Sequence, residues 1–322
     1  MMNRGLPAVA AALLLCLPLA GLSQYPNRPI KLIVPLAAAG TGDTLSRTVG
    51  EEMGKILGQP IIIDNRPGAG GLVGTEFVAA APADGYTLLA VSPSHVINPA
   101  LYSNTKTYDA LKSFEPITVL ANTHQVIVAH PSVEANTLKE LIAYARKNPG
   151  KLNYGSAGTG SATHLNMELF KSMAGVDIVH VPYKGSTQAR NDVLAGQVQL
   201  AMDGLLPLQP LIKDGRLKAL AITSSHRAKS NPEIPTIAEA GVPGYASDTW
   251  YGILVPAGTP KEIINTLHAA AVKALNTPTV RARLEKLGAE PVGNSPDDFR
   301  KLLEREQKLW VKVVRDSGAK VE

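Results

Sequence analysis

Two short stretches concentrate groups suited to gripping an anion. The first is Leu36, Ala37, Ala38, Ala39, Gly40 and Thr41, which follows an apolar run from Ile30 to Val34. Beyond it, apolar residues recur at Leu45, Val49, Met53 and Ile56/Leu57. That spacing predicts a buried strand, a loop of small residues and an amphipathic helix. The second stretch runs from Tyr154 to His164 and contains Gly155, Ser156, Thr159, Gly160, Ser161 and His164. A helix follows, with Leu165, Leu169 and Met173 on one face. The first turn of any helix has N–H groups without helical acceptors and a partial positive charge, which favours an anion. Small residues let a ligand approach bare backbone, and hydroxyls add donors. Either stretch alone is also the composition of an ordinary strand-to-helix loop; the recurrence singles the two out.

Other residues have two readings each. Ser92, in Ser92-Pro93-Ser94-His95, ends the strand Tyr86 to Val91, on the edge where open α/β sheets place ligands. Asp203 ends a strand before Gly204 and is either a turn or cap residue, or an acceptor facing a cleft. Tyr183 and Lys184 follow another strand, and Lys184 either neutralises an anion or stays solvated. Asp43 reads as a helix cap. His164 and Glu168 share one helix face, but two potential metal ligands without a third make a weak site. No metal or cofactor is expected. The dinucleotide fingerprint fails after Gly40-Thr41-Gly42, and the phosphate-loop and Gly-x-Ser-x-Gly motifs are absent.

The elements that must position these residues alternate strand and helix, the pattern of an α/β protein with largely parallel sheets. Further strands are expected at Pro60 to Asn65, Phe114 to Leu120, Gln125 to His130, Ile178 to Val181, Val198 to Met202 and Thr249 to Val255. Leu217 to Thr223 reads as a strand and as the return crossing between two lobes. Thr137-Leu138-Lys139-Glu140 is a capping-box pattern opening a helix. Helices are also expected over Pro260 to Leu275, from Pro278 to Leu287, and after Ser295-Pro296. Residues 1–23 have the charge, apolar run and small −3 and −1 residues (Gly21, Ser23) of a secretory signal peptide. Cleavage there leaves 322 − 23 = 299 residues, removes the single cysteine, Cys16, and lowers the net charge from +5 to +4. A cysteine-free chain of that length needs no disulfides to build a core. No basic run marks a nucleic-acid surface.

The chain resembles the periplasmic solute-binding proteins of tripartite tricarboxylate transporters, the Bug family. The stretches that carry the likeness are Asp64 to Gly71, Ala83 to Leu88, Asn98 to Tyr102, Gly158 to Ser161 with His164-Leu165, His180 to Gly185, and Pro235 to Gly241. The resemblance implies a two-lobed periplasmic-binding-protein-like α/β fold of type II. Each lobe would be a mixed or mostly parallel sheet flanked by helices, and crossover strands would join them. Residues 24–124 and 226–322 would form one lobe and 125–225 the other. It implies a periplasmic monomer that closes on a small organic acid, gripping carboxylates through Leu36 to Gly42 and Gly155 to Ser161. A membrane permease of the tripartite type, or a membrane sensor, would then read the closed form. Ala38-Ala39 stands where the family loop often has paired glycines, and the methyl groups would narrow the pocket or shift bridging waters. A two-lobed enzyme could share the architecture, but it needs a nucleophile, base or cofactor site, and no such constellation is evident.

Overall fold

The computed structural model describes residues 25–35, 38, 40–102 and 108–317. The expected signal peptide, 1–23, lies outside them, as do Leu36, Ala37 and Ala39 of the first loop. Among the described residues, eleven strands form two mixed sheets. The first sheet contains β1 (Ile30–Val34), β2 (Ile61–Asn65), β3 (Thr87–Val91), β4 (Phe114–Thr123), β10 (Thr249–Pro256) and β11 (Ala289–Pro291), in the order β11-β4-β10-β3-β1-β2. The second contains β5 (Gln125–Ala129), β6 (Asn153–Ser156), β7 (Val179–Pro182), β8 (Leu200–Gly204) and β9 (Lys218–Ile222), in the order β7-β6-β8-β5-β9.

The sheets are less parallel than strand-helix alternation predicts. β1 pairs parallel with β2 and β3, and β6 pairs parallel with β7 and β8. β10 runs antiparallel to both β3 and β4, and β5 runs antiparallel to both β8 and β9. The reason lies in the crossings. β4 and β5 follow one another with only His124 between them, yet pair in different sheets. β5 and β10 therefore start at the edge where β4, β3, β8 and β9 end, so each runs against its neighbours. The return passage is also not Leu217 to Thr223. β9 pairs within the second sheet, and the chain comes back over 223–248 to enter β10.

Ten α-helices among the described residues cover the sheets: α1 (Thr41–Leu57), α2 (Leu72–Ala79), α3 (Ser94–Leu101), α4 (Leu138–Lys147), α5 (Ala162–Ala174), α6 (Ser186–Leu194), α7 (Leu205–Lys213), α8 (Lys261–Leu275), α9 (Pro278–Lys286) and α10 (Pro296–Ser317). Burial of alternate residues on opposite faces explains why β1 has almost no polar positions. Ile30, Leu32 and Val34 pack with Leu45, Val49 and Met53 of α1, while Ile33 packs on the other face with Val78 and Leu89. The capping box at Thr137 forms: its side chain accepts from the Glu140 N–H at 3.2 Å, and Glu140 reaches back one residue further, to Asn136 N–H at 2.7 Å.

The last helix ties the two halves together. α10 packs on α3 and β4 on one side and on α5 on the other. Its Phe299, Leu303, Trp310, Val313 and Val314 belong to one apolar cluster that also includes Ile127, Tyr154 and Phe170 of the second sheet's layer. Close approach fixes its position: a Cβ on Gly252 of β10 would stand 2.6 Å from the Phe299 ring. Glu306, buried on the same helix, accepts from Trp310 Nε1 at 2.7 Å. Burial raises its carboxyl above the ordinary value of 4.5, and nearby Asp248 adds to the shift. A raised folded value means that the native state holds its proton longer than the unfolded chain. Stability from this group is therefore full below about pH 4.5 and is lost as pH rises through the folded value. Glu306→Gln, which keeps an acceptor for Trp310, should melt at a higher temperature than the parent protein at pH 7. Thermal melts near pH 4 should show no such gain.

Candidate functional site

A cleft of about 540 Å³ opens between the two sheets. That is within the range of small-molecule sites, roughly 300–1,000 Å³. Its first wall comes from the carboxyl ends of β1 and β3: Pro35, Ser92, Ser94 and, from α3, Asn98. The turn Pro67 to Gly71 extends that wall. The opposite wall is Thr159, Gly160, Ser161 and Ala162 at the start of α5. The floor is the crossing itself, with Gln125, Thr249 and Tyr251. Among the described residues that line it, none carries a formal charge. The polar groups are hydroxyls, amides and backbone, and the 13-residue α5 directs its positive end inward.

The second loop is built from beneath. Ser161 caps α5, its hydroxyl accepting from His164 N–H at 3.3 Å. His164 Nδ1 in turn accepts from Gly160 N–H at 3.1 Å. The His164 ring stacks on His180, with centroids 4.1 Å apart, and His180 stacks on Tyr154. Ser156 Oγ lies 2.6 Å from His180 Nε2 and accepts from Gly158 N–H at 3.1 Å. His164 therefore supports the loop instead of pairing with Glu168, whose carboxylate is taken by Tyr154 and Lys171. A further buried network fixes α5 to the crossing. Asn166 donates to Gln125 Oε1 at 2.8 Å and accepts from the Ser247 hydroxyl at 2.6 Å.

The first loop is secured differently. Gly40, not Asp43, occupies the cap position of α1 and makes no side-chain cap bond. Asp43 sits buried in the first turn, where Arg47 donates to it at 3.0 Å and Asn65 at 2.8 Å. A carboxylate there complements the helix dipole while its charge is spent on Arg47. Ala38 faces a separate surface recess beside Asp43, Thr44 and Arg47. Thr41 lies beside Tyr251, which is at the cleft floor.

Of the residues expected to bind ligand, Ser92, Thr159, Gly160 and Ser161 come together on the cleft surface, and Thr41 and His164 stand immediately behind it. Gly155 lets Tyr183 and Ala189 approach, each 3.1 Å from where a Cβ would be. Tyr183 donates to Asp192 at 2.7 Å. Asp203 accepts two bonds from Arg190, at 3.0 and 2.6 Å, and one from its own Gly204 N–H. Gly155, Ser156, Tyr183 and Asp203 are thus outside the cleft lining. The lining also includes residues not singled out by sequence: Gly70 and Gly71, Asn98, Gln125 and Tyr251. Asn98 Nδ2 donates to Gly70 O at 3.0 Å and holds that turn. Their signal was available in the Asn65-Arg66-Pro67-Gly68-Ala69-Gly70-Gly71 run, whose glycines at 68, 70 and 71 all have positive φ.

Comparison with known proteins agrees with this geometry. The family model described as tripartite tricarboxylate transporter family receptor matches residues 45–319. Protein BugT of Bordetella pertussis is 36% identical over 298 residues, covering 92% of this chain and 91% of that protein. A solved R. palustris protein with adipate is 38% identical, with a TM-score of 0.77 over 92% of this chain and 100% of the other. MatC from Rhodopseudomonas palustris, with bound malate, is 34% identical, with a TM-score of 0.74 over 90% of this chain and 100% of the other.

The histidine stack makes the second loop acid-sensitive. Burial, reinforced by His164, lowers the His180 value from 6.5 to about 4. The unfolded chain binds that proton first, so this group's contribution to stability is full above about pH 6.5 and lost as pH falls towards 4. An imidazole NMR titration should show His180 neutral at pH 5.5, when an exposed histidine is mostly charged.

Proposed function

The chain belongs to the tripartite tricarboxylate transporter receptor family, and from that premise we propose that it is a periplasmic solute-binding protein for a small organic acid. The observation that carries the reading is a cleft rich in hydrogen-bond donors and free of formal charge among its described lining residues. A carboxylate leaving water loses hydration worth several kcal/mol. Converging N–H and O–H groups replace that hydration at about 1.5–3 kcal/mol for each bond to a charged partner. An acidic lining would repel the ligand, and an arginine clamp would add a desolvation cost of its own.

The donors are divided between the walls. Ser92, Ser94 and the turn at Gly70-Gly71 belong to the first, and Thr159, Gly160 and Ser161 with the N-terminus of α5 to the second. A dicarboxylate spans both, so the form with the walls close together binds it better, and the ligand shifts the population toward that form. The ligands of two solved relatives, adipate and malate, are dicarboxylates, which fits this division. The closed form would be handed to membrane permease subunits of the tripartite type. In this reading the protein performs no chemical step.

Calorimetric titration against adipate, malate, citrate, glucose and spermidine tests the reading. The acids should bind one per chain and glucose and spermidine should not. Binding confined to the sugar or the amine would overturn it. Ser92→Ala and Thr159→Val should each weaken carboxylate binding by roughly tenfold or more, the value of one charged hydrogen bond, with little change in melting temperature.

A further inference from the structure

The crossing between the sheets contains a second constellation that the cleft does not use. His124 is the single residue between β4 and β5, His226 lies on the returning segment, and Glu290 is on the edge strand β11. One ligand atom from each lies within 4.8 Å of the other two. We propose that these three side chains form a binding site for a divalent transition metal of the zinc class at the hinge.

The protonation of His124 points there first. The Ser224 hydroxyl donates its only proton to the His226 carbonyl at 2.8 Å. At 2.9 Å from His124 Nδ1 it must therefore accept, which puts the ring proton on Nδ1. His124 Nε2, the other ring nitrogen, points at Glu290 Oε1, 3.3 Å away. That nitrogen is fully buried and makes no hydrogen bond. One carboxylate faces both imidazoles, so a cation among the three side chains would meet a ligand atom from each. His226 Nε2 lies 3.1 Å from the other oxygen of the same carboxylate.

The spacings suit a metal. Zinc bonded at about 2.0–2.1 Å in a tetrahedron holds its ligand atoms about 3.3 Å apart. The two nitrogen-to-oxygen separations, 3.3 and 3.1 Å, each to a different oxygen of Glu290, are close to that edge, and a small turn of the carboxylate presents one oxygen to both imidazoles. Ser224 holding the Nδ1–H of His124 is the outer support that metal-bound imidazoles ordinarily have. Two imidazoles and one carboxylate select zinc, copper or nickel over magnesium and calcium, which prefer oxygen. His226 is exposed and a solvent cavity adjoins His124 and Glu290, so the ion has an entry path and a fourth position for water. The site joins both crossing segments to the first sheet, so an ion there would stiffen the hinge itself.

The test uses tag-free full-length protein stripped with chelator and titrated with ZnCl2, with MgCl2 as control. Zinc should bind one per chain and raise the melting temperature, and magnesium should do neither. Co2+ in its place should give the strong visible absorption of a tetrahedral ion. His226→Gln and Glu290→Gln, whose melting curves without metal report folding, should each weaken zinc binding by more than about 100-fold, beyond the usual cost of losing an outer support. His130→Gln should leave it unchanged. If zinc binds no better than magnesium, or if both site variants bind it as tightly as the parent, the proposal fails, and the gap is closed by a proton on His124.

Discussion

Everything in the molecule hangs on one backbone constraint: a single residue separates two strands that must satisfy their hydrogen bonds in different sheets. β4 donates and accepts within the first sheet until Thr123, and β5 begins in the second at Gln125. The return passage is bonded to the same point, with Thr223 N–H on Gln125 O and Ser247 N–H on Thr223 O, both at 2.9 Å. The two lobes therefore cannot drift apart, and the space between their carboxyl edges has a floor. That floor is where Gln125, Thr249 and Tyr251 line the cleft.

From this floor the two walls rise by different means. In the first, strand ends and glycine turns bring bare backbone to the surface, held by Asn98 and by the Asp43–Arg47–Asn65 cluster. In the second, a capped helix end is propped by a column of aromatic rings, Tyr154, His180 and His164. Charge is kept in both supports and out of the lining. Asp203 and Arg190 neutralise one another, as do Glu168 and Lys171. An anion in the cleft meets oriented dipoles at close range, with no formal charge among the described lining residues to compete for water.

Much of the framework could be read from residue periodicity. β1 and α1 announce themselves by full burial and by 3.6-residue spacing, and α4 by Thr137 and Glu140. α3 and α7 escaped because Pro99, Pro207 and Pro210 interrupt any helical pattern, although each proline is tolerated in these eight- and nine-residue helices. The recurrence of glycine-rich junctions before helices marks Thr159 through Ser161, and the carboxyl end of a strand marks Ser92. Strand ends mark Tyr183 and Asp203 in the same way, because the end of a strand marks a sheet edge without saying whether another side chain already holds the residue: Tyr183 is bonded to Asp192, and Asp203 to Arg190. The cluster at His124, His226 and Glu290 could not be foreseen, since its members are 64 or more positions apart where Glu290 is concerned and meet only through the crossing.

The route of the chain has a consequence for how the molecule is made. The first sheet places β10 between β3 and β4, so its centre is filled by a strand that follows the whole second sheet in sequence. The apolar cluster shared by both halves is completed by Phe299, Trp310 and Val314 in the final helix. A ribosome delivers these pieces last. A chain emerging from its amino end therefore holds an open sheet edge and an unfinished core until nearly all of it is available, and its folding is governed by contacts far apart in sequence. Such a polypeptide remains threadable for most of its synthesis and locks only when its tail arrives.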